Sequence, residues 1–449
     1  MTTHTLWVIV YCLGVVIFIN RYVAGIILRV IRGKKWDEAR DDYEPMVTAV
    51  IPMFNEGVAI KETLQSLLDS TYPHNKLRVI CIDDCSTDDS YEQAREIARK
   101  SGGRLKIIRN RVNLGKRRSI IRAVREAESE IIVSVDSDVV VDKGAVRQLI
   151  RRFTDERIAA VGGWVDVRNK HDNWLTRMQV VKYWYGYFFL KNLEWSFRRV
   201  MCLSGCLTAY RRRVLVELEP LLEERSILGV PIKYGEDRFL TRQIVKAGYL
   251  TTMTLDARCR TFVPTTLGAY FSQQLRWRRS NIVDYAGGFS HIWRLNPIIA
   301  IHFFSLFALL LVYPLAIIRA LIGFRFFSML TLHVAILVIF GLVYRYRTRH
   351  FAPEERVGVF AFTPLTFLMP ITYALLTPLA LFTLDTASWE TRGHEEATLE
   401  PSPNPAEAMR ESVSSEIVVG EPATAPAVIG AGGVVGRRRT RSHAQLPAA

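Results

Sequence analysis

No lysine or arginine precedes the first apolar run of this 449-residue chain, Leu6 to Val30. The basic n-region of a cleaved signal peptide is therefore missing, and the run is expected to remain as a membrane span. Cysteine is scarce, with six residues, and Cys12 falls inside that run. The Cys81/Cys85 and Cys202/Cys206 pairs are spaced more widely than the usual zinc knuckle. They read as buried, reduced thiols of a cytosolic domain. No internal repeat is visible. No basic motif of known docking geometry accompanies the net charge of +15, so nucleic acid is not expected as a partner. Much of that charge flanks apolar segments, where it meets anionic headgroups. Charges inside those segments are few, which argues against a transporter.

What is present is apolar residue in excess, 49% of the chain, which is high for a soluble enzyme and is localised. Pro297 to Ile318 and Phe324 to Tyr344 are each long enough to cross a bilayer. Val357 to Leu384 is longer and uncharged, but contains Pro364, Pro370 and Pro378. Each proline removes a backbone donor, so this segment is expected to lie partly in the interface. Arg29, Arg32, Lys34 and Lys35 follow the first run, and Arg345, Arg347 and Arg349 follow the third. The positive-inside rule then puts the N-terminus outside and the next domain in the cytosol of a multi-pass plasma (inner) membrane protein. From about Glu395, Pro, Ala, Glu, Ser and Gly dominate, and residues 394–449 are expected to be a disordered tail.

Between the first two runs, strand-like and helix-like patterns alternate. Val47 to Pro52, Leu77 to Ile82, Leu105 to Ile108 and Ile131 to Val135 read as strands. Val58 to Leu68, Asp88 to Lys100 and Lys116 to Glu128 read as helices. This order predicts a parallel, Rossmann-like α/β sheet covered by helices, with ligands at the strand C-termini. Asn173 to Phe197 is rich in aromatics interleaved with Lys182, Lys191, Arg198 and Arg199. It reads as an amphipathic helix in the headgroup region, a core helix being the alternative. Leu267 to Tyr285 is a second such segment. The expected layout is an N-terminal anchor over 1–35, a cytosolic α/β domain over 36–263, an interfacial region over 264–296, a transmembrane and interfacial region over 297–393, and the tail.

The chemistry sits in acidic clusters. Asp136-Ser137-Asp138 closes an apolar strand, and two carboxylates so placed can hold Mg²⁺ or Mn²⁺ with a sugar nucleotide beside it. Asp83-Asp84 closes another strand of the same unit, so both clusters converge on one crevice.

Taken together, Pro52-Met53-Phe54-Asn55-Glu56, the run from Asp83 to Asp88, Asn113 to Arg117 and the DxD resemble the nucleotide-binding half of family-2 glycosyltransferases with the GT-A fold. Ser204-Gly205 followed by Tyr210-Arg211-Arg212, then Gly235-Glu236-Asp237-Arg238, then Gln273-Gln274-Leu275-Arg276-Trp277, resemble the processive members. Trp389 to Gly393 is similar to a Trp-Gly-Thr-Arg sequence of hyaluronan synthases and rhizobial chitin-oligosaccharide synthases. The resemblance implies uracil contacts at Phe54, Glu56 and Asp83 or Asp84, and a charge from Lys116 near the nucleotide. It implies Asp136 at the ribose or diphosphate, Asp138 on the metal, and Asp237 as general base. Ser204, Gly205 and Arg238 join the substrate-binding set. Gln273 and Arg276 would stabilise the leaving diphosphate, while Trp277 would offer a flat face to the terminal sugar, an interfacial anchor being its alternative role. Trp389, Thr391 and Arg392 would close over the diphosphate. The implied partners are UDP-sugar donors, a growing β-linked polysaccharide acceptor and the bilayer. The implied product is hyaluronan from UDP-GlcNAc and UDP-GlcA, or a β-1,4-GlcNAc chain of chitin type. Cys206 stands where hyaluronan synthases commonly have proline, and Glu390 replaces the usual glycine of the closing sequence.

Overall fold

A computed structural model describes residues 3–24, 27, 30–31, 38–223, 225–227, 230–232, 234–384 and 417–419. The strands that the sequence marks by apolar runs form the centre of the sheet. They are β1 (Val47–Met53), β2 (Leu77–Asp83), β3 (Leu105–Arg109) and β4 (Ile131–Ser134). Every residue of β1 is buried, as a strand covered on both faces requires. β1 pairs in parallel with β2 and β4, and β2 with β3. The connecting helices are α1 (Thr3–Phe18) at the N-terminus, then α2 (Ala59–Leu68), α3 (Ser90–Lys100) and α4 (Lys116–Glu126). In α2, Ile60, Thr63, Leu64, Leu67 and Leu68 form the buried stripe at i, i+3, i+4, i+7 and i+8.

The rest of the sheet was not legible in the sequence. β5 (Val140–Val141), β6 (Ile158–Val167), β7 (Thr208–Arg211) and β8 (Leu250–Thr261) extend it. β7 inserts antiparallel between β4 and β6, β8 runs parallel to β6, and β5 pairs antiparallel with β8. β9 (Ile417–Val419) pairs antiparallel with the edge strand β3, so three residues of the tail expected to be disordered are ordered. The nine strands lie in the order β9-β3-β2-β1-β4-β7-β6-β8-β5. None of the six cysteines is in a disulfide; Cys81 and Cys259 are buried.

Asn173 to Phe197 departs from the amphipathic expectation. Asn173 caps α5 (Trp174–Tyr185), its side chain accepting from the Leu175 and Thr176 backbone N–H groups. Apolar residues then fall all around the helix rather than on one stripe, and Trp184 and Tyr185 are buried. α6 (Glu236–Lys246) and α7 (Leu267–Gly288) follow β7 and β8. Three further helices, α8 (Pro297–Ile322), α9 (Phe326–Arg347) and α10 (Leu365–Phe382), are long and apolar enough to cross a membrane. Trp184 meets Tyr344 of α9 edge-on at 5.3 Å, and Tyr185 stacks on Phe340 at 4.7 Å while its hydroxyl donates to the Phe340 carbonyl. The aromatics thus join the sheet domain to α9 instead of forming an exposed apolar face. In α10, Pro370 and Pro378 lie inside a continuous helix and Pro364 caps it. The helix stays continuous through both prolines and packs along α7 and α8. The first apolar run is helical from Thr3 to Phe18 and continues as a π-helix from Ile19 to Ala24, with the Asn20 amide donating to the Ile298 carbonyl at the start of α8.

Candidate active site

The C-terminal ends of β1, β2 and β4 open onto one crevice. Asn55, just past β1, takes a positive φ of 51°. Its amide oxygen accepts from the Thr87 backbone N–H at 2.9 Å, and its own N–H donates to Ser86 Oγ at 3.0 Å. The neighbouring Glu56 N–H donates to Ser90 Oγ, and Ser137 Oγ donates to the Glu56 carboxylate at 2.7 Å. Phe54 is buried beside them. The Phe54–Glu56 loop is therefore tied both to the loop after β2 and to the DxD.

Asp83 and Asp84 are both fully buried. Asp83 accepts from the Ser86 N–H at 3.0 Å and pairs with Arg109 at 3.1 Å. Asp84 accepts from Asn110 Nδ2 at 2.6 Å and from the Leu114 and Gly115 N–H groups at 2.9 and 2.7 Å. Burial pushes both carboxyl groups upward against these donors. Asp84 thus fixes the loop that begins α4 and so aims Lys116.

Lys116 is the hub. Its ammonium lies 2.8 Å from Asp136 Oδ1 and 2.9 Å from Glu236 Oε1. Burial acts to lower Lys116, but the two carboxylates outweigh it and hold the group well above the usual lysine range. Gly205 approaches so closely that an added Cβ would lie 3.2 Å from Asp136 Oδ1. Cys206 Sγ donates to Asp136 Oδ2 at 3.5 Å, so the residue that departs from the hyaluronan-synthase pattern touches the DxD itself. Asp237 accepts from the Gly205 N–H at 3.3 Å. Burial first, then the negative charge of Glu236, raises Asp237. Burial also works to raise Glu236, but Lys116 overrides it and lowers the group. Two adjacent carboxyl groups are thereby driven apart, one held as a counter-ion and one poised to take a proton.

Gly235 sets this up. It caps α6 at φ 68°, in the left-handed region, and a Cβ there would collide with Ser280 Oγ of α7. Gly235→Ala is expected to cost about 1–2 kcal/mol for the backbone alone, plus the collision. Thermal unfolding of Gly235→Ala against Gly235→Ala/Ser280→Ala reads the hydroxyl part of that collision, since Ser280→Ala removes Oγ and leaves the Cβ contact.

α7 displays two ridges. Arg276 and Ser280 share one, which faces α6: Ser280 abuts Gly235, and the Arg276 charge acts on Glu236, while Gln273, between the ridges, accepts from Gln274 Nε2 at 3.4 Å. Tyr270, Gln274 and Trp277 share the other, which faces Lys182 and Tyr183 of α5. Arg238 lies behind the site, its charge acting on Asp237 and Asp284. Asp138 accepts from Thr261 Oγ1 at 3.3 Å. Among the described residues no group of three His, Cys, Asp or Glu side chains is gathered for a metal. The hard oxygens of Asp138 and Asp136 suit Mg²⁺ or Mn²⁺, whose remaining positions are ordinarily filled by diphosphate and water. The residues fit such an ion, which would neutralise charge on a leaving diphosphate. Trp389, Thr391 and Arg392 lie outside the described residues. Sequence reasoning placed Lys116, Asp136, Ser204, Gly205 and Asp237 in one site, and the fold brings them together. It missed Glu236 as the partner of Lys116, although Glu236 is in the motif, and it missed the contact of Lys182 with Trp277, which only the packing of α5 on α7 creates.

Residues 48–219 match the family described as glycosyl transferase family 2. The chain carries a family-2 glycosyltransferase domain. The fold of this glycosyltransferase domain is GT-A. It is similar in structure to a mannosyltransferase from Pyrobaculum calidifontis solved with GDP-Man and Mn²⁺, at a TM-score of 0.58 and 20% identity, covering 84% of this chain and 99% of that one. In sequence it is 34% identical over 249 residues to an N-acetylglucosaminyltransferase of Rhizobium sp. (strain N33), covering 55% of each chain. It is 31% identical over 264 residues to a hyaluronan synthase of Streptococcus pyogenes serotype M1, covering 58% of this chain and 62% of that one. The chain thus spans little more than half the length of the curated relatives it matches.

Proposed function

We propose that this glycosyltransferase is a membrane enzyme that transfers sugars, with inversion, from UDP donors to a growing β-linked polysaccharide and passes the chain across the bilayer. The observation that carries the reading is the Lys116 hub. One ammonium joins the DxD carboxylate Asp136 to Glu236, and so sets the donor crevice against Asp237, the raised carboxylate beside it. In this reading Asp237 accepts the acceptor hydroxyl's proton as the C1 bond forms. Gln273 and Arg276 meet the leaving diphosphate. Phe54 and Glu56 hold the uracil, with Asp83 behind them, and Trp277 carries the terminal sugar. Asp138 holds the divalent cation, and Trp389, Thr391 and Arg392 close the site. The domain faces the cytosol, and α8, α9 and α10 contribute to the passage.

Hyaluronan is the proposed product, made from UDP-GlcNAc and UDP-GlcA. Polymer is then expected only when both donors and Mg²⁺ or Mn²⁺ are supplied to the purified protein. The similarity to rhizobial N-acetylglucosaminyltransferases supports a second reading, a β-1,4-GlcNAc chain. Chitinase-sensitive polymer from UDP-GlcNAc alone selects that reading and removes the first.

The pH profile follows from Asp237. A base must be deprotonated to act, so activity rises with pH through its raised pKa. The acid limb of kcat is expected above the ordinary aspartate value of about 3.9. Glu236→Gln removes the like charge and is expected to move that limb to lower pH. A limb that stays in place shows that Asp237 does not govern it.

A further inference from the structure

Lys182 projects from α5 onto the acceptor ridge of α7. Its ammonium lies 5.4 Å from the Trp277 ring centre and 5.3 Å from that of Tyr270, and it donates to the Gln274 side-chain oxygen at 2.7 Å. The side chain is half-buried, and the Gln274 bond it makes is itself only partly covered. Arg278, one residue past Trp277, is buried and stacks on Tyr373 of α10 at 3.8 Å. Among the described residues neither cation makes an ion pair. Burial first, and then the charge of Arg278, a second cation, lowers the ammonium to about 7. Two cations withdrawn from water side by side are costly, and the aromatic faces offset only part of that cost. Arg276, proposed to meet the diphosphate, acts instead on Glu236, across the helix from Lys182.

We propose that Lys182, with Arg278 behind it, forms a subsite for a carboxylate on the acceptor chain, so that the sugar seated on Trp277 belongs to a uronate-bearing polymer. The inference rests on the reading of Trp277 as the acceptor platform. A carboxylate on that sugar would take a hydrogen bond from the ammonium in place of, or beside, the Gln274 oxygen. Lys182 then discriminates between polymers. A chain of neutral N-acetylhexosamine leaves the cations uncompensated, whereas a uronate chain satisfies them.

The test uses the full chain purified in detergent and three tetrasaccharides: one from hyaluronan, the same one with its carboxyl groups reduced to alcohols, and chitotetraose. Equilibrium binding is measured for wild type, Lys182→Met and Lys182→Arg, with UDP binding in parallel. Wild type is expected to bind the intact uronate tetrasaccharide about 10- to 100-fold more tightly than its reduced form, the range for a charge-assisted hydrogen bond. The preference should collapse in Lys182→Met and survive in Lys182→Arg. Should the Met variant not fold, Lys182→Gln takes its place. Equal wild-type binding of the intact and reduced forms, tighter binding of chitotetraose, or a preference that persists without the ammonium would overturn the proposal. A wild-type protein that fails to bind UDP would instead sink the glycosyltransferase reading on which it rests.

Discussion

Asp237→Asn is expected to lower polymer synthesis at least about a hundredfold, in line with the contribution of a general base, while UDP binding stays within a few-fold of wild type. The amide keeps the shape and one acceptor oxygen, for either the Gly205 or the Arg238 N–H, but it cannot take a proton. Its position explains the split. Asp237 contacts the Ser204-Gly205 loop, whereas Glu56 is tied to Ser137 of the DxD, the side proposed for the nucleotide. Asp138→Ala should show the opposite pattern, losing metal-dependent UDP binding first. Wild-type polymer yield from Asp237→Asn would remove Asp237 from the mechanism. A loss of UDP binding as severe as that of Asp138→Ala would move it to the donor side.

The second large effect is on stability. Arg242 of α6 and Asp284 of α7 form a buried ion pair at 2.8 Å, and Arg242 also donates to the Gly287 carbonyl at 3.2 Å. This pair fixes the helix that carries Asp237 against the helix that carries Gln273, Arg276 and Trp277. Asp284→Ala strands a buried guanidinium and is expected to cost about 3–5 kcal/mol. A well-packed apolar replacement of both partners, Arg242→Met with Asp284→Leu, should recover most of it, because the intact pair gains little net over desolvation. Thermal unfolding of the single and double variants in detergent decides this. If Asp284→Ala unfolds with wild type, the pair does not hold the two helices together.

The parts of the fold that the sequence made legible are those in which local pattern and tertiary environment agree. β1, β2 and β4 are largely apolar because the central sheet is covered on both faces along most of their length, and their boundaries in the structure fall within one residue of the sequence reading. β7 was not legible. Its four residues, Thr208 to Arg211, have no period of their own and become a strand only by filling the gap between β4 and β6. The prolines of α10 misled for a related reason: local chemistry predicts a break, but the helix continues through them, packed along α7 and α8. In the site, Asp83-Asp84 looked like a pair with one task. The fold gives them different partners, and Asp84 acts on the Asn113–Gly115 loop some 30 positions away. Likewise, Lys116 announced a charge near the nucleotide, but its bridge to Glu236 depends on a pairing across the crevice that spacing does not encode.

If the Lys116 hub and Asp237 form the site of glycosyl transfer, sugar transfer and UDP release stand or fall together with Asp237. The most direct measurement reconstitutes the purified chain in proteoliposomes with UDP-GlcNAc, UDP-GlcA and Mg²⁺, and follows UDP release against sugar incorporated into polymer. One UDP is expected per sugar incorporated, with both signals lost in Asp237→Asn. UDP-sugar binding without release, or release that continues unchanged in Asp237→Asn, would contradict the account.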